Sequence, residues 1–553
     1  MSGKRLIYLP LGGAGEIGMN CYVYGYGAPG EERLIVVDLG VTFPDMETSP
    51  GVDLIFPDVS WLKERRDRIE AIFVTHAHED HVGAVAHFWE DLGAPVYARA
   101  FTANIARRKF DERGLGPEIV KTQEPWPETQ TAGPFEVGFV PISHSIPESS
   151  GLVIDTPMGR LVHTGDFKID ATPVVGEPFD TATWEEIGRE GVTALVCDST
   201  NVFSDHEGRS EATVGPEIEK LLLDAKGMVV ATTFASNVAR LKTLAEAGER
   251  AGRSIVLMGR AMRRMVEAAT ETGVLDRFPA TVPVEDAADV PRENLMLIVT
   301  GSQGERRAAS AQLARGKHFG MELKEGDLFL FSSKTIPGNE KGVIRIMNQL
   351  SEKGVDVIDD SSGRYHVSGH ANRPDLIAMH KLVDPKLVVP MHGEHRHLRM
   401  HARLAQENGR RGALAVNGTM IDLTTGKPCD YVETGRTYLD GSVMVGALDG
   451  VVRDRIRMAL NGHVTVTLVL DEEDQPLGEP WCDTMGLTET GRSQQPLEAA
   501  LEEELAQFVD RAKPKVLADD DALEEGLRRA VRNAAQNEMG KKPEVTVVIS
   551  RLS

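Results

Sequence analysis

Thr75-His76-Ala77-His78-Glu79-Asp80-His81 is the stretch on which the reading of this chain turns. It follows an apolar run, residues 71–75, that reads as a buried strand, and it precedes a helical stretch at 82–92. Side chains alternate along extended backbone, so His76 and His78 point to one side and two imidazoles can share a metal ion. Asp80 and His81 then offer an oxygen and a nitrogen to a second ion. A merely solvated turn has no need of donors packed so closely.

Working outward, the remaining donors of a two-metal site stand at the ends of other strands. His144 follows the run 135–142, Asp166 follows 161–164 with Gly165 allowing close backbone approach, and His392 follows 387–390. A rim formed by strand ends collects ligands from distant sequence, and Asp166, with two oxygens, can bridge both ions. Each of these residues is weak alone; their joint occurrence carries the argument. Gly13-Ala14-Gly15-Glu16-Ile17-Gly18 imitates a dinucleotide-binding fingerprint, with Asp38 downstream. That fingerprint needs a helix after the glycines, whereas Met19-Asn20-Cys21-Tyr22-Val23-Tyr24 reads as a strand, so a glycine-rich hairpin is expected.

The organisation around these motifs is layered α/β. Short apolar runs at 6–11, 34–38, 71–75, 135–142, 152–155, 161–164 and 194–198 read as strands, with helices at 82–92 and 102–113. From about residue 211 strands at 228–234, 254–258, 295–300 and 328–331 alternate with helices at 238–251, 261–272 and 342–353, the pattern of parallel βαβ units. The division expected is 1–210 for the first part of the first domain and 211–365 for an inserted lobe. Residues 366–450 return to the first domain, 451–461 form a linker, and 462–553 form a small α/β domain. With 553 residues, 41% hydrophobic and 26% charged, the composition is that of a globular chain with material for several cores. The net charge of −23 argues against attachment to nucleic acid or anionic lipid by bulk charge, though not against a local channel. Arg107-Arg108-Lys109, Arg260 with Arg263-Arg264, and Arg306-Arg307 are the local basic clusters. Cys21, Cys197, Cys429 and Cys482 form neither a disulfide framework nor a zinc-knuckle spacing. No signal-peptide core or membrane-length apolar run is seen, so a cytoplasmic protein without a membrane partner is expected.

His-x-His-x-Asp-His, a later His, Thr164-Gly165-Asp166 and Met391-His392-Gly393 resemble the metal motifs of the metallo-β-lactamase fold, and Asp38 matches its first motif, which supports the ligands. Those motifs alone allow thioesterases, lactamases, phosphodiesterases and nucleases. Asp198 in Cys-Asp-Ser-Thr-Asn, His370 in His366-Val367-Ser368-Gly369-His370, and His392 resemble the three further motifs of the β-CASP nucleases. Residues 12–18, 163–168, 233–237, 300–305 and 336–339, and the domain after 453–457, resemble the bacterial ribonuclease J family along nearly the whole chain.

That resemblance implies an αββα sandwich with an inserted β-CASP lobe and a small C-terminal domain. It implies a ribonuclease acting 5′-to-3′ on 5′-monophosphorylated single-stranded RNA and also endonucleolytically, in mRNA decay and rRNA processing. One zinc ion is expected on His76, His78 and His144 and a second on Asp80, His81 and His392, with Asp166 between; manganese or magnesium could replace zinc. His370 is expected to hold the phosphate and assist the leaving oxygen, and Asp198 to orient a histidine. The 5′-phosphate pocket is expected from Ser236, Asn237, Ser332, Ser333 and the 366–370 loop. A structural calcium is expected at the Gly51 carbonyl, Asp53 and Asp440, and a homodimer or homotetramer, alone or in an RNA-degradation complex, as the assembly. A DNA-directed nuclease, a small-molecule hydrolase and a noncatalytic RNA-binding subunit are the rival readings. The terminal domain, the inserted lobe with His370, and the intact ligand set speak against them in turn.

Overall fold

The computed structural model describes residues 3–552, which fall into two compact units: residues up to Thr42 together with Phe56–Gly435, and Phe43–Ile55 together with the chain from Arg436 onward. The first unit opens with strands β1 (Arg5–Gly12), β2 (Cys21–Gly27), β3 (Arg33–Val37), β4 (Ile69–Phe73), β5 (Val96–Ala98) and β6 (Val120–Thr122). Next come β7 (Thr129–Ala132), β8 (Phe135–Pro141), β9 (Ser150–Thr156), β10 (Gly159–His163) and β11 (Val192–Asp198). Five parallel strands follow: β12 (Val229–Thr232), β13 (Ser254–Met258), β14 (Leu295–Val299), β15 (Leu328–Phe331) and β16 (Asp356–Ile358). The chain then returns through β17 (Leu387–Met391), β18 (Arg411–Gly412), β19 (Thr419–Asp422) and β20 (Lys427–Tyr431).

Sheet order shows the insertion. One sheet runs β20-β19-β1-β2-β3-β4-β5-β6 and a second β18-β17-β11-β10-β9-β8-β7, each built from strands on both sides of the inserted lobe. The lobe's own sheet, β13-β14-β12-β15-β16, is separate. Strands of the second sheet are apolar on both faces because both are covered. Phe139, Leu152, Ile154, Leu161 and Val196 pack against Tyr8, Tyr24, Ile35 and Phe73 of the first sheet. Their alternates Val140, Val153, Val162 and Leu195 pack against Trp184, Leu376 and Met379 on the outer layer. The lobe's strands divide in the same way between two cores. Residues 82–92, expected as one helix, are two: α1 (Glu79–Val82) and α2 (Val85–Leu92), with Gly83 capping the first. Other helices used below are α3 (Ala100–Glu112), α4 (Thr181–Arg189), α5 (Val214–Asp224), α6 (Val238–Arg250), α7 (Arg260–Glu271), α8 (Glu340–Glu352), α9 (Arg373–Val383) and α10 (His395–Glu407).

Parallel register places the functional rim. Val37 lies beside Phe73 and Asp198 beside Met391, so the segments leaving β3, β4, β10, β11 and β17 all emerge at one end of the sandwich.

In the second unit, β21 (Arg436–Asp440) and β22 (Val443–Gly446) form a hairpin. The residues expected as a linker, 451–461, are helix α11 (Val451–Asn461). Strand β23 (His463–Leu470) lies between β24 (Trp481–Met485) and β25 (Glu544–Arg551). Every second residue of β23 is buried against leucines of α12 (Leu497–Arg511) and α13 (Asp520–Met539), the period expected of a sheet covered on one face.

Candidate metal centre

The turn after β4 carries His76 and His78 on extended backbone, and His78 caps α1, whose first turn holds Asp80 and His81. Gly40 is required here: a Cβ at that position would lie 1.7 Å from the Asp80 carbonyl oxygen. Gly165 adopts φ 58°, turning the chain after β10 so that Asp166 enters the site. His392 follows β17 directly, at φ 48°.

Seven donors converge. The ligating atoms of His76, His78 and His144 lie within 4.8 Å of one another, as do those of Asp80, His81, Asp166 and His392. His78 Nδ1 is 3.1 Å from both His76 Nε2 and His144 Nε2. Asp166 Oδ2 stands between the groups, 3.2 Å from His81 Nε2 and His392 Nε2, 3.8 Å from His144 Nε2 and 3.9 Å from His76 Nε2.

The hydrogen bonds behind the rings fix which nitrogen faces inward. His81 Nδ1 donates to Asp38 Oδ2 (2.8 Å), His144 Nδ1 to the Gly369 carbonyl (2.6 Å) and His392 Nδ1 to Asn20 Oδ1 (2.8 Å). Thr75 Oγ1 gives its single proton to Asp38, so it accepts from His76 Nδ1 at 3.0 Å. Four imidazoles thus turn Nε2 toward the centre, the arrangement in which ligating histidines are held by their outer nitrogen. Around His78 there are more inward lone pairs than protons, and Asp166 Oδ1 is buried with no partner among the described residues. A nitrogen-and-oxygen donor set of this kind fits divalent cations such as zinc.

The charges agree. Burial, reinforced by neighbouring imidazoles, pulls His76 and His144 well below the usual imidazole range and His78 down to about 4, so this half is neutral. The other half is rich in carboxylate. There, against burial, Asp166 and Asp80 raise His81 and His392, and those imidazoles in turn hold Asp166 well below the usual carboxylate range. A proton takes up the charge that an ion would otherwise balance.

Beside this cluster His370 Nδ1 donates to Asp198 Oδ2 at 2.8 Å, and burial is outweighed by Asp198, so His370 rises to about 9. Asp198 Oδ1 accepts from Thr200 N and Oγ1. The 366–370 loop is built to place these groups. Ser368 Oγ accepts from the His370 amide, Gly369 O holds His144, and Val367 is buried in the lobe's core.

Two residues expected in the phosphate pocket have other partners. Asn237 caps α6 by accepting from Arg240 N, and Ser332 Oγ donates to the Tyr365 carbonyl and accepts from Arg240. Ser333 Oγ is buried and unpartnered among the described residues, and Ser236 is half-buried before α6. His366 Nδ1 lies 3.4 Å from Arg240 Nη1. In the second unit Asp53 Oδ2 accepts from the Gly441 amide, and Asp440 is ion-paired with Arg455 at 2.7 Å, so a cation of the chain already faces the expected calcium position. Of the basic clusters, Arg108 pairs with Glu271, Lys109 with Glu79 and Arg264 with Glu112.

Sequence reasoning missed Asn20. Its amide donates to the Asp80 carbonyl (3.0 Å) and lies 3.0 Å from His81 Nε2, while its oxygen accepts from His392 Nδ1 and from Tyr22 (2.6 Å). The Gly13–Gly18 loop brings it there, beside Gly393. The only signal was that loop itself, a glycine-rich turn ending in an amide.

Similarity to known proteins agrees with this architecture. Family models match at residues 14–195 (metallo-beta-lactamase superfamily), 226–350 (ribonuclease J, beta-CASP domain), 363–415 (Zn-dependent metallo-hydrolase RNA specificity domain) and 450–552 (ribonuclease J C-terminal domain). The chain is 42% identical to "Ribonuclease J" of Sinorhizobium meliloti, over 99% of this chain and 98% of that protein. The chain belongs to the ribonuclease J family. It is 36% identical to the protein of that name from Mycolicibacterium smegmatis (96% of this chain, 94% of that one) and 35% to that of Thermus thermophilus (84% and 82%). A solved Enterococcus faecalis protein of unknown function shares the fold, with TM-score 0.52 at 17% identity over 76% of this chain and all of that one. Family membership makes this a metal-dependent hydrolytic ribonuclease. No described helix is long and apolar enough to cross a membrane.

Proposed function

We propose that the chain is a zinc-dependent ribonuclease that degrades 5′-monophosphorylated single-stranded RNA from its 5′ end and also cuts internally. The observation that carries this reading is the convergence of seven inward-facing donors beside a hydrogen-bonded His370–Asp198 pair.

His76, His78 and His144 would hold one ion, and Asp80, His81 and His392 the other, with Asp166 shared. Bound there, two divalent cations would favour ionisation of water at neutral pH and offset negative charge at the scissile phosphate. Asp38 and Thr75 keep His81 and His76 in the ligating tautomer. Water gives up a proton to solvent and attacks phosphorus in line, the bond to the ribose 3′-oxygen breaks, and the downstream product keeps a 5′-phosphate. His370, with Nδ1 committed to Asp198, presents Nε2 to the phosphate and gives a proton to the departing oxygen. Ser236, Ser333 and the 366–370 loop would receive the terminal phosphate through hydroxyls and backbone amides, an anion site that needs little net charge.

In this reading residues 1–210 and 366–450 form the catalytic domain around a lobe at 211–365, except that 43–55 and 436–450 belong to the compact unit that contains the terminal domain. Manganese or magnesium would replace zinc, and a calcium at Gly51, Asp53 and Asp440 would have to displace Arg455. The chain would act in the cytoplasm as a homodimer or homotetramer, open to a degradation complex.

The test compares 5′-monophosphate RNA, 5′-triphosphate RNA and matched single-stranded DNA, with and without chelator. Mononucleotide release chiefly from the monophosphate RNA, abolished by chelation, is expected. Equal release from the triphosphate RNA, or release that survives chelation, overturns the reading.

A further inference from the structure

Cys197, His380 and His401 meet in the outer core of the second sheet, fully buried. Their ligating atoms all lie within 4.8 Å of one another. They come from three elements: Cys197 from β11, His380 from α9 and His401 from α10. Val162, Leu195, Leu376, Met379 and Leu404 lie in the same cluster, with Ser199 and Thr164 as polar neighbours.

The hydrogen bonds orient this group as they orient the rim histidines. Ser199 Oγ stands 3.3 Å from the Cys197 carbonyl and 2.9 Å from His401 Nδ1, and with its proton on the carbonyl it accepts from His401. His401 Nε2 is therefore left with a lone pair, and it faces His380 Nε2 at 3.0 Å. Burial holds both imidazoles neutral, the form that ligates, and the same burial pushes the Cys197 thiol well above its ordinary range, so its ionisation would have to be driven by the cation. Leucine or phenylalanine would fill this core without burying polar atoms, and His380 Nδ1 has no partner among the described residues.

We propose that Cys197, His380 and His401 form a second metal site, with three protein donors, for a zinc-class cation, separate from the catalytic cluster. One thiolate and two imidazoles from three elements make a borderline-soft donor set, with Ser199 orienting His401 from outside. Binding releases the Cys197 thiol proton to solvent. The site ties together the elements that present the rim: Asp198 follows Cys197 directly, α9 begins just after the His370 loop, and α10 begins just after His392. The cation would thus pin Asp198, His370 and His392 relative to one another from beneath. This proposal does not depend on the substrate or metal chosen for the rim.

Cobalt(II) distinguishes the two sites, because thiolate ligation gives a near-ultraviolet charge-transfer absorption that nitrogen and oxygen ligands lack. The full-length protein, produced with cobalt and in a Cys429→Ser background that removes the exposed thiol, is measured by absorption and metal analysis. The expected result is a thiolate–cobalt band that vanishes in Cys197→Ser, with a loss of about one equivalent of cobalt, as for a single Cys-His site. His401→Gln gives the same loss by a second route. Absence of the band from the parent protein, its survival in Cys197→Ser, or equal cobalt content in parent and variants would each overturn the proposal and leave a hydrogen-bonded imidazole pair.

Discussion

Asp38→Asn removes a charge without removing volume, and the hydrogen bonds around the carboxylate dictate its effect. Asp38 is fully buried and accepts on both oxygens. Oδ1 takes Thr75 N at 2.8 Å and Oδ2 takes His81 Nδ1 at 2.8 Å, with Thr75 Oγ1 bonded to the latter at 2.9 Å. An asparagine has one acceptor to place. If its oxygen meets Thr75 N–H, its amide faces His81 Nδ1, which must then accept, and the ring proton moves to Nε2, the nitrogen turned toward Asp166. If the amide is flipped, two N–H groups oppose each other at Thr75, at a cost of about 1–3 kcal/mol for an unmet buried donor. The first arrangement is therefore favoured, and it blocks a ligand. Backbone strain does not confound the comparison, since Asp38 sits at φ 61° and asparagine tolerates that region as well as aspartate does.

Loss of a ligand-orienting partner weakens metal affinity by about 10–100-fold, or about 1.4–2.7 kcal/mol. Competition with a chromophoric chelator should show that drop in one class of zinc sites, the one that includes His81. RNA turnover should fall at limiting zinc and recover in part when zinc is in excess. Unchanged zinc affinity together with unchanged turnover would refute the tautomer argument and with it the assignment of His81 as a ligand.

Asp198→Asn and His370→Ala should each lower turnover by about 10²–10⁴-fold, and the double variant should be no worse than His370→Ala, because the carboxylate acts through the ring; additive losses in kcat would contradict this. Arg240 is fully buried and paired with Glu211 (2.7 Å), so Arg240→Met strands a carboxylate and should destabilise the first unit by about 3–5 kcal/mol in urea unfolding, with Glu211→Gln in the same background recovering part of it. Burial holds His163 at about 3 in the folded protein, against about 6.5 unfolded. The unfolded chain then binds the extra proton between those values, and stability should fall by up to about 1.4 kcal/mol for each pH unit lost below 6.5; His163→Phe should make that slope shallower, and an unchanged slope would be inconsistent with a neutral buried ring.

What could be read from the sequence was what local chemistry encodes. His76 to His81 announce themselves because four donors within one turn have no simpler use. His144, Asp166 and His392 are legible as residues that follow apolar runs, because a strand buried on both faces gives way to polar residues where it reaches the rim. The lobe's helices, with one face turned to a parallel sheet, show in their period; α6 and α8 lie within two residues of expectation. The break between α1 and α2 was invisible, because a glycine in a helical pattern does not say whether the chain turns there.

Residues whose role lies in orienting others were much harder to find, and the reason is physical. A ligand is recognised by its own chemistry, but Asn20 is useful only through where its amide points, and its partner His392 is 372 residues away. Asn237 and Ser332 show the converse case, side chains with partners that sequence does not reveal. Polar side chains in glycine- and serine-rich turns look free in sequence, yet one caps a helix and the other anchors Arg240 to the Tyr365 carbonyl. Asp440, an expected calcium ligand only through the resemblance, pairs with Arg455 fifteen residues on, which no local pattern marks as its partner. Cys197, His380 and His401 belong to the same class: no spacing links them, and only the packing of β11 against α9 and α10 brings a thiol and two imidazoles to one point. If that point holds a cation, the rim is built on a metal-braced floor, and substitutions at Cys197 should loosen His370 and His392 together rather than either alone.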